Sequence, residues 1–122
     1  MWNGWTGNIL RLDLNEPLVT VETLDRQAAE SFIGARGLGV KYLYNEIDPA
    51  VNALDARNKI IFATGPLTGT GAPGSSRYMV VTKGPLTDAI AHSSAGGAFA
   101  SAIKYAGYDM IILEGQSRGP VY

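Results

Sequence analysis

The sequence predicts an α+β domain, a β-sheet carrying two or three helices, and three observations lead there. Short runs with strand-like alternation or unbroken apolar character recur at 7–14, 18–23, 59–64, 78–82 and 110–115. Only 26–33, 38–47 and 96–106 place apolar residues at helical spacings of three and four. Between these segments lie most of the 15 glycines and 6 prolines, the residues that turn a chain sharply. A length of 122 residues allows one domain with a real apolar interior and is too short for two ordinary ones.

In chain order, 7–14 alternates well enough for a half-buried strand and ends at Asn15-Glu16-Pro17, after which 18–23 repeats the pattern. The short connection predicts a hairpin. Trp2 and Trp5 precede the first strand, where a large amphipathic ring caps the end of a sheet. Asp25 is a suitable N-cap for a helix over 26–33 with Ala28, Ala29, Phe32 and Ile33 on its apolar stripe, stopped by Gly34. A second helix is expected over 38–47, closed by Asp48-Pro49. Between the two, 34–39 reads Gly-Ala-Arg-Gly-Leu-Gly. That is either a tight helix-to-helix turn or a ligand contact through Arg36 or the Gly37 amide, since no Lys-Ser/Thr pair follows to complete a phosphate loop.

The runs at 59–64 and 78–82 read as strands buried on both faces. The loop that joins them, 65–76, therefore sits at one end of the sheet and is dense in small residues. Gly65-Pro66-Leu67-Thr68 recurs as Gly84-Pro85-Leu86-Thr87, and a turn stiffened by proline and bonded back by threonine explains both copies structurally. A helix over 96–106, closed by Gly107, would start at 93–97, where free amides and the positive end of the dipole favour an anion. The last clear strand is 110–115, and Pro120-Val121-Tyr122 resembles the start of another.

Charge and cysteine count narrow the function. With 10 basic and 11 acidic residues the formal charge is −1, so nothing favours nucleic acid or an acidic membrane surface. No run approaches the roughly 20 apolar residues that span a bilayer, and the N-terminus lacks a secretory signal pattern; the cytoplasm is the expected compartment. There is no cysteine and a single histidine, so this chain ligates no iron-sulfur cluster and offers no obvious zinc site. An arginine emerging from glycines and serines, Arg77, is either an anion contact or a surface arginine at a strand start.

Several segments together closely resemble the N-terminal region of the tungsten-dependent aldehyde ferredoxin oxidoreductases: Trp5-Thr6-Gly7-Asn8-Ile9-Leu10-Arg11, Gly34-Ala35-Arg36-Gly37, the run from Ala63 to Pro73, Ser76-Arg77, Gly96-Gly97 and Lys104-Tyr105-Ala106-Gly107-Tyr108-Asp109. The likeness covers nearly the whole chain in order. It implies the first part of a mixed β-sheet domain that forms a base for a tungsten, in some relatives molybdenum, bis-pterin cofactor with a bridging magnesium. The metal's thiolates come from the pterins. The iron-sulfur cluster and the proton-handling residues of the family lie further along.

Carried over by position, the resemblance makes Arg77, Ser94, Ala95, Gly96 and Gly97 the candidate cofactor-binding residues, with no catalytic or metal-ligating residue in this chain. Arg77 matches an arginine that approaches a pterin phosphate, and Gly96 a glycine whose backbone faces the cofactor. Ser94 stands where the best-known members carry an asparagine that helps to hold the magnesium, and its shorter side chain reaches less far. His92 either reaches the phosphates or is a partly buried structural histidine.

Two readings follow. In the first, 1–122 is one incomplete N-terminal cofactor-cradling domain of an enzyme that oxidises an aldehyde to a carboxylate and passes electrons to ferredoxin through an iron-sulfur cluster outside this chain. Its partners are then the remainder of the enzyme or a second subunit, and an exposed sheet edge invites self-association. In the second it is a free-standing module for a phosphorylated ligand, or a fragment that pairs with itself and binds nothing. Neither involves nucleic acid or a membrane.

Overall fold

A computed structural model describes residues 3–122. Six strands form one sheet in the order β2-β1-β6-β3-β4-β5. β1 (Asn8–Asp13) and β2 (Leu18–Thr23) make the expected antiparallel hairpin. β1 also pairs in parallel with β6 (Met110–Glu114), while β6, β3 (Lys59–Thr64), β4 (Arg77–Lys83) and β5 (Ile90–Gly96) are successively antiparallel. The sheet is mixed, and the class is α+β as predicted.

Alternation along each strand and the register between strands divide the side chains into two faces. Ile9, Met110, Ile112, Ile61, Ala63 and Val81 point to one face and meet Leu38 and Leu43 of α2 (Ala35–Glu46) and Ala28 and Ala29 of α1 (Arg26–Phe32) in a single core. Asp25 caps α1 by accepting from Gln27 N at 2.9 Å. The turn that ends α1 is made by Ile33, at φ 66°, one residue before the glycine that the sequence suggested as the stop. Trp5 packs on this core and its indole N–H donates to Ile33 O at 2.8 Å. Trp2 lies outside the described residues.

Three expectations are corrected. α2 begins at Ala35, three residues earlier than the periodicity suggested, so Arg36, Gly37 and Gly39 are helical and not a turn. The reason is close packing: a Cβ on Gly37 would lie 2.6 Å from Phe32 O, and one on Gly39 would lie 2.9 Å from Val81 Cγ2. Glycine here lets the helix approach its neighbours, which outweighs its poor helix propensity.

Residues 93–96 are strand, not the start of a helix. Ser93, Ser94, Ala95 and Gly96 pair with Val80, Met79, Tyr78 and Arg77, and the helix is the shorter α3 (Ala98–Tyr105). A run of small residues carries almost no periodicity, so the ladder offered by β4 decides its conformation. Pro120, Val121 and Tyr122 belong to no strand.

The third correction concerns burial. β3 and β4 are covered on one face only: Ile60 is 44% exposed, and Phe62, Tyr78 and Val80 are half-buried. α3 covers the near end of that second face, where Phe99 meets the Tyr78 and Phe62 rings edge-on at 5.2 and 5.9 Å. Beyond it, Val19 and Val21 are exposed, and Leu10, Leu12, Ile111 and Leu113 are partly so. The open side of the sheet is apolar.

Candidate functional site

At the end of the sheet where β3 and β5 finish and β4, β6 and β1 begin, polar groups bolt the loops to the strands. The Asp109 carboxylate, almost wholly buried, accepts from Thr6 N at 3.1 Å, Thr6 Oγ1 at 3.0 Å and Gly7 N at 2.8 Å. It also pairs with Lys104, whose ammonium donates to Gly4 O at 2.9 Å. Thr64 Oγ1 donates to Asp109 O at 2.8 Å. The 65–76 loop is tied across its base by the buried Thr68: its hydroxyl accepts from Gly65 N at 3.2 Å and lies 3.2 Å from Ser75 O and 3.3 Å from Arg77 O. The second Gly-Pro-Leu-Thr copy turns differently, with Asp88 N donating to Gly84 O at 3.0 Å.

On this base Arg77 opens β4. It is directly opposite Gly96 on β5, and its Nη1 donates to Ser94 Oγ at 3.2 Å. Among the described residues the guanidinium has no carboxylate partner. Side-chain alternation puts Arg77, Ser94 and His92 on one face of β4 and β5, while Ala95, opposite Tyr78, points to the other. Arg77, His92, Ser94, Gly96 and Gly97 are all exposed, so His92 is not a buried structural residue. Gly97 is the N-cap of α3 at φ 104°, a conformation that disfavours any side chain, and no atom lies within 4 Å of where its Cβ would be. β5 is an edge strand. Among the described residues the arrangement is an exposed ledge along that edge.

The structure therefore brings Arg77, Ser94, Gly96 and Gly97 together but takes Ser94 and Gly96 off the helix start. The α2 start comes to the same end of the sheet, since a Cβ on Gly34 would lie 2.9 Å from Thr64 O. Arg36, in the first turn of α2, is exposed. Sequence reasoning quoted Ser76 only beside Arg77, with no role of its own, and did not single out Ser101. Ser76 Oγ donates to Gly97 O at 2.7 Å and lies 2.9 Å from Ser101 Oγ. A signal existed for Ser101, a hydroxyl among the apolar residues of α3.

The other end of the sheet is charged and closed on itself. Arg11 bonds Glu22 at 2.7 and 3.1 Å, Glu46 twice at 2.9 Å and Glu114 at 3.1 Å. Lys59 joins Glu114 and, at 3.3 Å, Glu46. The bonds to Glu46 hold the Arg11 guanidinium well above its ordinary pKa. Burial pushes the Glu46 carboxyl up, yet Arg11 and Lys59 carry it below its ordinary value. A cleft of about 370 Å3 lies there, lined by Glu46, Lys59 and Glu114 of this network together with Asp13, Asp48 and Arg57. Among the described residues no group of three or more His, Cys, Asp or Glu could hold a metal, and no helix is long and apolar enough to cross a membrane.

Comparison with known proteins agrees with the architecture. A chain in the solved active site complex BamBC of benzoyl coenzyme A reductase, in complex with 1,5 dienoyl-CoA, superposes with a TM-score of 0.97 at 38% identity, over 100% of this chain and 19% of that one. The tungsten-containing aldehyde ferredoxin oxidoreductase of Pyrococcus abyssi (strain GE5 / Orsay) is 48% identical over 119 residues, 98% of this chain and 20% of that protein. The aliphatic sulfonate oxidoreductase, WOR-like subunit, of Pyrococcus furiosus is 33% identical over 121 residues, 97% of this chain and 19% of that subunit. The chain thus spans about a fifth of the length of these relatives. A family profile described as "Aldehyde ferredoxin oxidoreductase, N-terminal domain" matches residues 9–122. Profile, sequence and backbone agree over almost every residue, and the chain belongs to the aldehyde ferredoxin oxidoreductase N-terminal domain family.

Proposed function

We propose that this chain supplies the phosphate seat for a tungsten bis-pterin cofactor in an aldehyde ferredoxin oxidoreductase-like enzyme, with Arg77, Ser94, Ala95, Gly96 and Gly97 forming the ledge. The carrying observation is the Arg77 guanidinium, which opens β4 opposite Gly96 and has a serine hydroxyl, not a carboxylate, as its recorded partner. A planar fork of N–H donors with no internal counter-charge suits phosphate oxygens, and charge-assisted bonds of this kind are about twice as strong as neutral ones. Ala95 contributes backbone only, because its side chain turns to the other face of the sheet. Ser94 adds a hydroxyl beside Arg77.

The donor set fits the cofactor. This chain has no cysteine, and the pterin dithiolenes bring the sulfur that the metal needs. When bound, the cofactor supplies two-electron redox chemistry, which in this reading takes an aldehyde to a carboxylate and passes electrons to ferredoxin through an iron-sulfur cluster elsewhere. The residues here bind and orient. An open ledge excludes no water by itself, so the seat is completed by the remainder of the enzyme or by a second subunit. The uncovered apolar face of Val19, Val21, Ile60, Ile111 and Leu113 supports that, since such a patch on a sheet marks an interaction surface.

Isothermal titration of the chain with inorganic pyrophosphate, and with a phosphorylated pterin, tests the seat. Arg77→Ala is expected to weaken both by about tenfold or more. Equal affinity for wild type and variant removes Arg77 from the site. Light scattering of the purified chain distinguishes a fragment that pairs with itself, through the β5 edge, from a monomer.

A further inference from the structure

We propose that Ser76 and Ser101 are positioning residues of the seat, acting through Arg77 and Gly97; the inference rests on the phosphate-seat reading above. Ser76 immediately precedes Arg77. Its hydroxyl spans from the start of β4 to the N-cap of α3, meeting Gly97 O at 2.7 Å, and to the first turns of that helix, meeting Ser101 Oγ at 2.9 Å. A serine hydroxyl has one proton. The Gly97 carbonyl can only accept, so the Ser76 proton is committed there, and between the two serines Ser101 must donate. The direction is fixed: Ser101 O–H to Ser76 Oγ, and Ser76 O–H to Gly97 O.

This relay crosses a point where no side chain packs on the chain. Gly97 stands at φ 104°, with nothing within 4 Å of its missing Cβ, and α3 has no side-chain cap of its own. The Gly97 carbonyl is that of the N-cap residue, which accepts the first bond of the helix, and the Ser76 hydroxyl is a further donor to it from the start of β4. That bond ties the Gly97–Ala98 peptide plane to Ser76, the residue next to the one that carries the guanidinium. Thr68 grips the same strand start from the other side through Ser75 O and Arg77 O. Arg77 is exposed and extends from the strand, so its aim depends on that backbone being fixed from both sides. A site whose charged group comes from one strand and whose amides come from the next binds tightly only when the two are locked in register.

The test is a double-mutant cycle read by pyrophosphate titration, with thermal melts confirming that each variant is folded. Ser76→Ala and Ser101→Ala are each expected to weaken pyrophosphate binding about three- to tenfold, the scale of one lost hydrogen bond. Ser101→Thr, which keeps the donor, is expected to restore wild-type affinity. In an Arg77→Ala background Ser76→Ala is expected to have no further effect, because a residue that acts only by aiming the guanidinium has nothing left to aim. Unchanged affinity in Ser76→Ala and Ser101→Ala, or an equal loss with and without Arg77, would overturn the relay while leaving the seat intact. Failure of the wild type to bind pyrophosphate would overturn the seat and the relay together.

Discussion

Arg11 and Arg77 lie on the same face of one sheet, toward opposite ends, and their surroundings differ in kind. Arg11 is largely buried, with three glutamates around it and Lys59 completing the network. Arg77 is exposed beside a serine and two glycines. A guanidinium with its charge answered inside the fold is part of the scaffold, because removing it leaves partly buried carboxylates without their counter-charge. One answered only by a hydroxyl has no counter-charge beside it among the described residues. The two ends thus separate holding the sheet together from presenting a group, and the polar bolts beneath Arg77 show that the presenting end is also rigidly built.

Asp109→Ala is the most severe way to break this contrast, since it removes four acceptor contacts and leaves the buried Lys104 ammonium without its carboxylate. Urea denaturation should show a loss of about 3–5 kcal/mol. Arg11→Ala at the charged end should cost about 3 kcal/mol, less than a fully buried pair because its glutamate partners are partly solvated.

The same network gives an acid limb to stability. Glu46 has its pKa lowered by Arg11 and Lys59 below an ordinary 4.5, so its contribution is complete above that value and is lost as pH falls through the folded-state pKa. Denaturation curves between pH 5 and pH 3, about the range where an unpaired glutamate titrates, should show the decline in wild type and a weaker one in Arg11→Ala. An identical slope in both would mean that other carboxylates set the acid limb.

Thr68→Val keeps the shape but leaves Gly65 N without its acceptor, and should cost about 1–3 kcal/mol. Arg77→Ala should change stability by no more than about 0.5 kcal/mol, the ordinary range for an exposed position. A loss comparable to that of Arg11→Ala would place Arg77 in the scaffold and erase the distinction between the two ends.

The elements most legible in the sequence are those whose pattern is strong and local. β3 was predicted with both its ends, because an apolar run bounded by Asn58 and Gly65 leaves little choice. The Asp25 cap was readable for the same reason: one side chain and two residues decide it. β5 was missed because His92-Ser93-Ser94-Ala95-Gly96 has neither apolar alternation nor bulk, and only its ladder with β4 makes it a strand. α2 was cut short because Gly37 and Gly39 look like breakers until the nearness of Phe32 and Val81 is known. Arg77 could be singled out as a candidate from its chemistry; the contact between Ser76 and Ser101 could not, because serines 25 residues apart carry no pattern that links them.

The sequence alone determined the class, the hairpin and the turn at the end of β3, since each depends on residue chemistry over a few neighbouring positions. Tertiary structure decided which arginine is neutralised and which is presented, that the small residues near Gly96 form an edge strand, and that one face of the sheet is left open. Those outcomes depend on which strands become neighbours, and long-range pairing is a property of the folded chain that no short window of sequence contains.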